Sequence, residues 1–165
     1  MMISTAMNTK LNDQIGAEFA AAHAYLAMAC DFDRMALKAL AKRFLQQHDE
    51  EREHAMKILH YVQEVGGTVA LEAIAKPKKD YKNMEAIVST ALQNEKDITA
   101  KINDLMTLAE SEKDYATRSF LQWFVDEQVE EVSSMTDLLN VVKLAGENML
   151  QVESLVRHQM LGEKS

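Results

Sequence analysis

Proline and glycine are scarce in this sequence, with 1 Pro and 5 Gly in 165 residues. So few helix breakers leave few places where a helix must stop, which favours long helices. Aromatic residues make up 6% and runs of β-branched residues are rare, which tells against a sheet. No apolar run reaches the roughly 18 residues a membrane span needs, so no membrane association is expected. Cys30 is the only cysteine, which excludes an intramolecular disulfide and a cysteine-based zinc site. Its neighbours Met28 and Ala29 suggest a buried structural thiol in a reducing compartment. Residues Met1 to Lys10 lack a basic segment followed by an apolar core, so no secretory signal is expected and a cytoplasmic location follows. Positive charge is also in deficit, 18 basic against 26 acidic residues for a net −8. Such a chain is a poor candidate for nucleic-acid binding and a reasonable host for cations, although ordinary solubility would account for the same charge.

What is present is helical periodicity. The length suits one domain, residues 1–165, around one core, and 47% of residues are hydrophobic. Helices are expected at about 8–32, 37–65, 84–111, 115–144 and a short fifth at 149–160. The apolar faces run through Leu11, Ile15, Ala22, Tyr25 and Leu26; Leu40, Phe44, Ile58, Tyr61 and Val62; Ile87, Ala91, Ile98, Ile102 and Leu105; and Phe120, Phe124, Met135, Leu138 and Val142. Gly66-Gly67 and Gly146 are stops, and Asn83 and Asp114 are expected N-caps. The first and second helices, and the third and fourth, are joined by a few residues each, which makes each pair an antiparallel hairpin. Residues 66–82, with Pro77, form a connector without regular helix. Extended, roughly 17 residues reach at most about 56 Å, against about 42 Å for a helix of about 28 residues. The connector can therefore cross the whole bundle and leave the second and third helices parallel. The expected fold class is all-α, a four-helix bundle with one long crossover and a short fifth C-terminal helix.

Charges interrupt the apolar stripes. Glu18 falls between Leu11, Ile15, Ala22 and Tyr25 at helical spacings. Glu51 and His54 sit between Phe44 and Ile58, Glu95 among Ala91, Leu92, Ile98 and Ile102, and Glu127 and Glu131 between Phe124 and Met135. Each of four helices thus turns at least one carboxylate inward. An unpaired buried carboxylate costs several kcal/mol, and a pair of metal ions would offset that cost. Oxygen ligands with few imidazoles suit iron or manganese better than structural zinc. Singly, the Glu51/His54 pair or the cluster Glu127, Glu130 and Glu131 would be ordinary solvated charge; the joint pattern carries the reading. Tyr25, seven residues after Glu18, and Trp123, four before Glu127, are either core residues or donors of a hydrogen bond or an electron near such a site. The 11 methionines are read as gap-filling core residues.

The segments Glu50-Glu51-Arg52-Glu53-His54 and Phe120 to Glu131 resemble the second- and fourth-helix motifs of bacterial non-haem ferritins. Glu18 with Tyr25, and Glu95 within Asn-Glu-Lys-Asp-Ile, are similar to the first and third helices, so the resemblance covers nearly the whole chain. It implies an iron-storage subunit with ferroxidase activity: Fe(II) is oxidised by oxygen or hydrogen peroxide at a di-iron centre and stored as ferric mineral. By the same resemblance Glu18, Glu51 and His54 bind the first iron, and Glu51 bridges to a second held by Glu95 and Glu131. Gln128 and Tyr25 stand beside the site, and Glu50, Glu127, Glu130 and Glu131 resemble a third iron site. The resemblance further implies a homo-oligomeric hollow shell of 24 subunits, with the fifth helix packed around a fourfold axis through Leu150, Leu155 and their neighbours.

Bacterioferritins and rubrerythrin-like proteins carry two Glu-x-x-His pairs. Here Glu127-Gln128-Val129-Glu130-Glu131 has no second histidine, which favours the asymmetric ferritin site. Animal ferritins line a threefold channel with acids near the start of the fourth helix, and the comparable positions here are Arg118 and Leu121, which tells against an acidic route there. Read from the residues alone, another di-iron carboxylate oxidoreductase and a non-catalytic helical interaction protein remain open.

Overall fold

Helix starts fall where short polar side chains replace the missing backbone partners of a first turn. Ser4 accepts from the Met7 N–H at 3.0 Å and opens α1 (Thr5–Arg34). Asn83 accepts from Ala86 at 2.9 Å and opens α3 (Met84–Glu112). Asp114 accepts from Thr117 at 3.0 Å and opens α4 (Tyr115–Ala145). Asn148 accepts from Gln151 at 3.3 Å and opens α5 (Met149–Leu155), which runs into a π-helical turn over Val156–Met160. The computed structural model describes residues 2–160, without the side chains of residues 159 and 160. Met1 and residues 161–165, which belong to the expected single domain, lie outside the described residues. Relative to the sequence reading, α1 starts three residues earlier because Ser4 supplies the cap, and regular α-helix at the C-terminus ends at Leu155.

α2 (Lys38–Glu64) has no side-chain cap of its own, because Leu37 holds the cap position. Glu153 of α5 does the work from across the fold: its carboxylate accepts from the backbone N–H of Ala39 and, at 3.1 Å, of Leu40. A carboxylate there also meets the positive end of the helix dipole, which is favourable. Val152 and Val156 are fully buried beside it, so one face of the terminal segment belongs to its own subunit.

The direction of each helix follows from two apolar clusters. One joins Tyr25, Phe32, Leu40, Phe44, Ile87, Ala91, Met135, Val142 and Val152. The other joins Met7, Leu11, Ile58, Val62, Ile102, Leu105, Leu121 and Phe124. The start of α1 thus shares one end of the bundle with the finish of α2, the finish of α3 and the start of α4, so α2 and α3 run parallel. The crossover begins at that end. The Asn8 and Asn12 side chains grip its backbone: Thr68 N–H donates to Asn8 Oδ1 at 2.9 Å, Ala70 N–H to Asn12 Oδ1 at 2.6 Å, and both amides donate to Thr68 O. Gly67 is needed for this close approach, since a Cβ there would lie 2.9 Å from Val62 Cγ1 and 3.0 Å from Val62 O. The crossover ends at Tyr81, which packs on the opposite cluster, where burial and then the Asp31 charge raise its phenol pKa.

One expectation is corrected, and two open readings are narrowed. Cys30 is exposed, not buried, because it falls on the outer face of α1 just past Ala29. Trp123 is 38% exposed at the bundle edge. Leu121 is fully buried in its own bundle and cannot line a channel, while Arg118 is exposed and paired with Glu110 at 3.3 Å.

Replacing Glu153 with Ala is expected to cost about 1 kcal/mol, the usual worth of an N-cap. Amide exchange at Ala39 and Leu40 should rise, and unchanged protection there would show that the cap contributes nothing.

Candidate metal centre

Between the two apolar clusters lies a polar layer. α1 contributes Gln14, Glu18 and the Tyr25 hydroxyl; α2 contributes Gln47, Glu51 and His54; α3 contributes Glu95; α4 contributes Gln128 and Glu131. All are buried, with Glu18 and Glu51 1% exposed and Glu95 0%. The four carboxylates come from four different helices, as the stripe positions predict.

Glu18, Glu51 and His54 each present one ligating atom within 4.8 Å of the others. Glu51 Oε2 lies 3.4 Å from His54 Nδ1, at ion-pair range. Neither Glu51 oxygen has a hydrogen-bond partner, nor has Glu18 Oε2. Buried acceptors left unpaired are costly, and three of them converging with an imidazole form a ready set for a cation. Glu18 is steadied by Gln14, whose Nε2 donates to Oε1 at 2.7 Å. The His54 ring is wedged edge-on against Trp123 (5.4 Å between centroids) and Phe124 (6.0 Å), which fixes its plane. Trp123 in turn lies under Lys57 Nζ, 3.6 Å from the ring centroid.

The second half of the layer is held by its own donors. The Tyr25 hydroxyl donates to Glu95 Oε1, so Tyr25 serves α3 and not Glu18 on its own helix. Gln128 Nε2 donates to the Glu95 backbone oxygen and to Thr99 Oγ1, each at 3.2 Å, and reaches Glu95 Oε2 at 3.4 Å. Gln47 Nε2 donates to Glu131 Oε2 at 2.8 Å, leaving its own buried Oε1 without a partner. Gln14, Gln47 and Thr99 were not singled out from sequence. Each stands four residues from a layer carboxylate on the same helix, a spacing that puts it on the same face. The proposed third set divides: Glu50 and Glu127 are half-buried, and burial, with the Glu127 charge adding to it, raises the Glu50 pKa, whereas Glu130 is exposed.

Burial raises every carboxyl in the layer. Glu18 is pushed well above its ordinary value by burial and then by the Glu51 charge. Glu51 is likewise raised by burial and then by Glu95. Glu95 is raised by burial, with the Tyr25 hydrogen bond opposing. Glu131 is raised to about 7 by burial and then by Glu95. Burial thus favours the protonated form of each carboxyl in the layer, whereas a cation bound there would favour the ionised form.

Comparison with known proteins agrees with this architecture. The ferritin-like domain family matches residues 8–145. The bacterial non-heme ferritin of Staphylococcus aureus is 38% identical over 147 residues, covering 89% of each chain. That of Staphylococcus haemolyticus is 37% identical with the same coverage. Among solved structures, an open-pore ferritin from the hyperthermophilic archaeon Archaeoglobus fulgidus superposes with a TM-score of 0.91. It is 39% identical, over 94% of this chain and 96% of that one. An engineered closed form of the same ferritin gives 0.90 at 39% identity, over 94% of each chain. Four helices, one crossover and a carboxylate layer define a ferritin-like bundle, and the chain belongs to the ferritin family. Within that family it groups with the bacterial non-haem type, and its function is iron storage.

The raised carboxyl pKa values fix the sign of a pH effect. These groups keep protons in the folded chain that they lose when unfolded, so stability falls as pH rises from about 4.5 through the Glu131 value of about 7. Metal-free protein should melt at a lower temperature near pH 8 than near pH 5.5, and Glu131→Gln should flatten the difference. A profile identical in the variant would contradict the Glu131 assignment.

Proposed function

We propose that this chain is a ferroxidase subunit that oxidises Fe(II) at a di-iron carboxylate centre and passes Fe(III) to a mineral held in a 24-subunit shell. The observation that carries the reading is the group Glu18, Glu51 and His54, buried, mutually within 4.8 Å and left with orphan oxygens. In this reading these three bind the first iron, and Glu51 bridges to a second bound by Glu95 and Glu131. Tyr25 and Gln128 orient Glu95. Two ferrous ions would each give one electron to the oxidant, so that dioxygen with two protons leaves as hydrogen peroxide, or hydrogen peroxide with two protons leaves as two waters, and the carboxylates would offset the charge of the ferric product. The carboxyl protons displaced by iron leave to solvent. Glu50 and Glu127, with Glu130 and Glu131, form a weaker third position through which ions leave the centre.

Assembly is supported by apolar surface at the end where α4 finishes. Leu144 is 88% exposed, Leu150 77% and Met149 40%. Leu150 stands across the helix from the buried Val152 and Val156, so the terminal segment has a second apolar side that three further copies around a fourfold axis would cover. No described helix is long and apolar enough to cross a membrane, and the reading places the shell in the cytoplasm. A dimeric di-iron oxidoreductase would share the centre but not the particle size, which light scattering distinguishes: a shell weighs about 24 times the 18.6 kDa chain.

Glu51→Ala is the direct test of the centre. It removes an unpaired buried acid, so the metal-free protein should fold and assemble with undiminished stability. Rapid ferrous oxidation, followed by stopped-flow absorbance, should drop by at least about a hundredfold, equivalent to roughly 2.7 kcal/mol in the barrier. A near-normal initial rate would refute Glu51 as the bridging ligand.

A further inference from the structure

Arg43 is a cation built into the edge of a cation site. It lies on α2, four residues before Gln47 and seven before Glu50, and so shares their face. Its side chain is only 14% exposed. One guanidinium nitrogen lies 3.6 Å from Glu50 Oε2, and the other donates to Ser134 Oγ of α4 at 3.1 Å. The arm thus bridges the two helices that carry Glu50 and Glu127. It also lines an open cavity of about 500 Å³ with Gln46, Asp49, Glu50, Glu53 and Ser134. The Arg43 charge extends inward, where it favours the ionised forms of Glu95 and Glu131 as well as Glu50.

Nothing in the di-iron reading uses this arginine, and at first sight it opposes it, because a fixed positive charge repels an incoming metal ion. The geometry gives it a use. A metal ion on Glu50 and a guanidinium 3.6 Å from its Oε2 would repel one another at close range, and the adjoining cavity gives the arginine room to swing away. We propose that Arg43 is an internal counter-cation that occupies the outer position beside Glu50 and Glu127 and is exchanged for the metal ion that binds there. The inference rests on the reading of Glu50 and Glu127 as the outer, weaker position. Arg43 sets that weakness: an arriving ion must break the Arg43–Glu50 pair, and the return of Arg43 to Glu50 releases the ion. Ser134 Oγ accepts from the other guanidinium nitrogen and gives the arm a second anchor on α4. Arg43 is accordingly a positioning residue and touches no reacting atom.

The test uses Zn(II), which binds without redox chemistry, titrated calorimetrically into the full assembled protein. The unaltered protein should show a tight class of sites and a weaker one. Arg43→Gln, which loses the charge but keeps a polar side chain, should tighten the weaker class by about tenfold while the tight class moves little. Arg43→Lys should leave the weaker class near its original affinity, and Glu50→Gln should abolish the effect of Arg43→Gln. A crystal of the unaltered protein soaked in Zn(II) should show the arginine displaced from Glu50. A weaker class unchanged in Arg43→Gln, or zinc seated beside Glu50 with Arg43 still paired to it, overturns the proposal. If Arg43→Gln does not assemble, the soaked crystal alone decides. Absence of the tight class in the unaltered protein would instead refute the metal centre itself.

Discussion

Four carboxylates at one level of a helical bundle repel one another and are starved of water, and the rest of the structure is arranged around that constraint. Glu18, Glu51, Glu95 and Glu131 would push the helices apart if fully ionised. The apolar clusters on either side close the bundle at both ends of the layer. Their burial supplies the favourable term, of the order of 25 cal/mol per Å² of apolar surface, against which the cost of the layer is set. Protons carried by the raised carboxyls lower that cost when no metal is bound. The price is therefore smallest in acid and largest where iron is to be bound.

Neutral side chains give the layer its shape. Gln14, Gln47 and Gln128 each spend an amide N–H on one carboxylate, and Tyr25 spends its hydroxyl on Glu95. Amides and a phenol can fix a carboxylate's rotamer without cancelling its charge, so the oxygens left over remain available to a cation. Glu51 is the exception, since neither oxygen is held by a hydrogen bond. That freedom suits a ligand shared between two ions, and it sits at the centre of the layer between Glu18 and Glu95. The half-buried Arg43 at the outer rim is the contrasting case, a full positive charge placed where the site opens.

The ends of the bundle are joined by long-range contacts that no single helix supplies. Asn8 and Asn12 anchor the start of the crossover, and Glu153 caps α2 from the terminal segment. The same segment carries exposed Leu150 on its other side. Its inward face thus serves the fold of the subunit, while the outward face is the apolar surface on which the proposed shell depends.

Periodicity and caps settled the number, order and direction of the helices, because they act through neighbours three or four residues away and through connector length. The inward position of Glu18, Glu51, His54, Glu95 and Glu131 was legible for the same reason: each stands at a stripe position flanked by apolar residues one turn to either side. Outward-facing neighbours were harder to place. Cys30 and Glu130 adjoin buried positions in sequence, yet one step of about 100° on the helix turned both to solvent. What only the tertiary structure decided is which side chains meet across helices. That Tyr25 serves Glu95, that Gln47 serves Glu131 and that Glu153 caps α2 depends on how far each helix is slid and rotated against its partner. A shift of one residue rotates a side chain to another face, and that register is set by the packing of both apolar clusters together, a sum over many contacts that no local stretch of sequence contains.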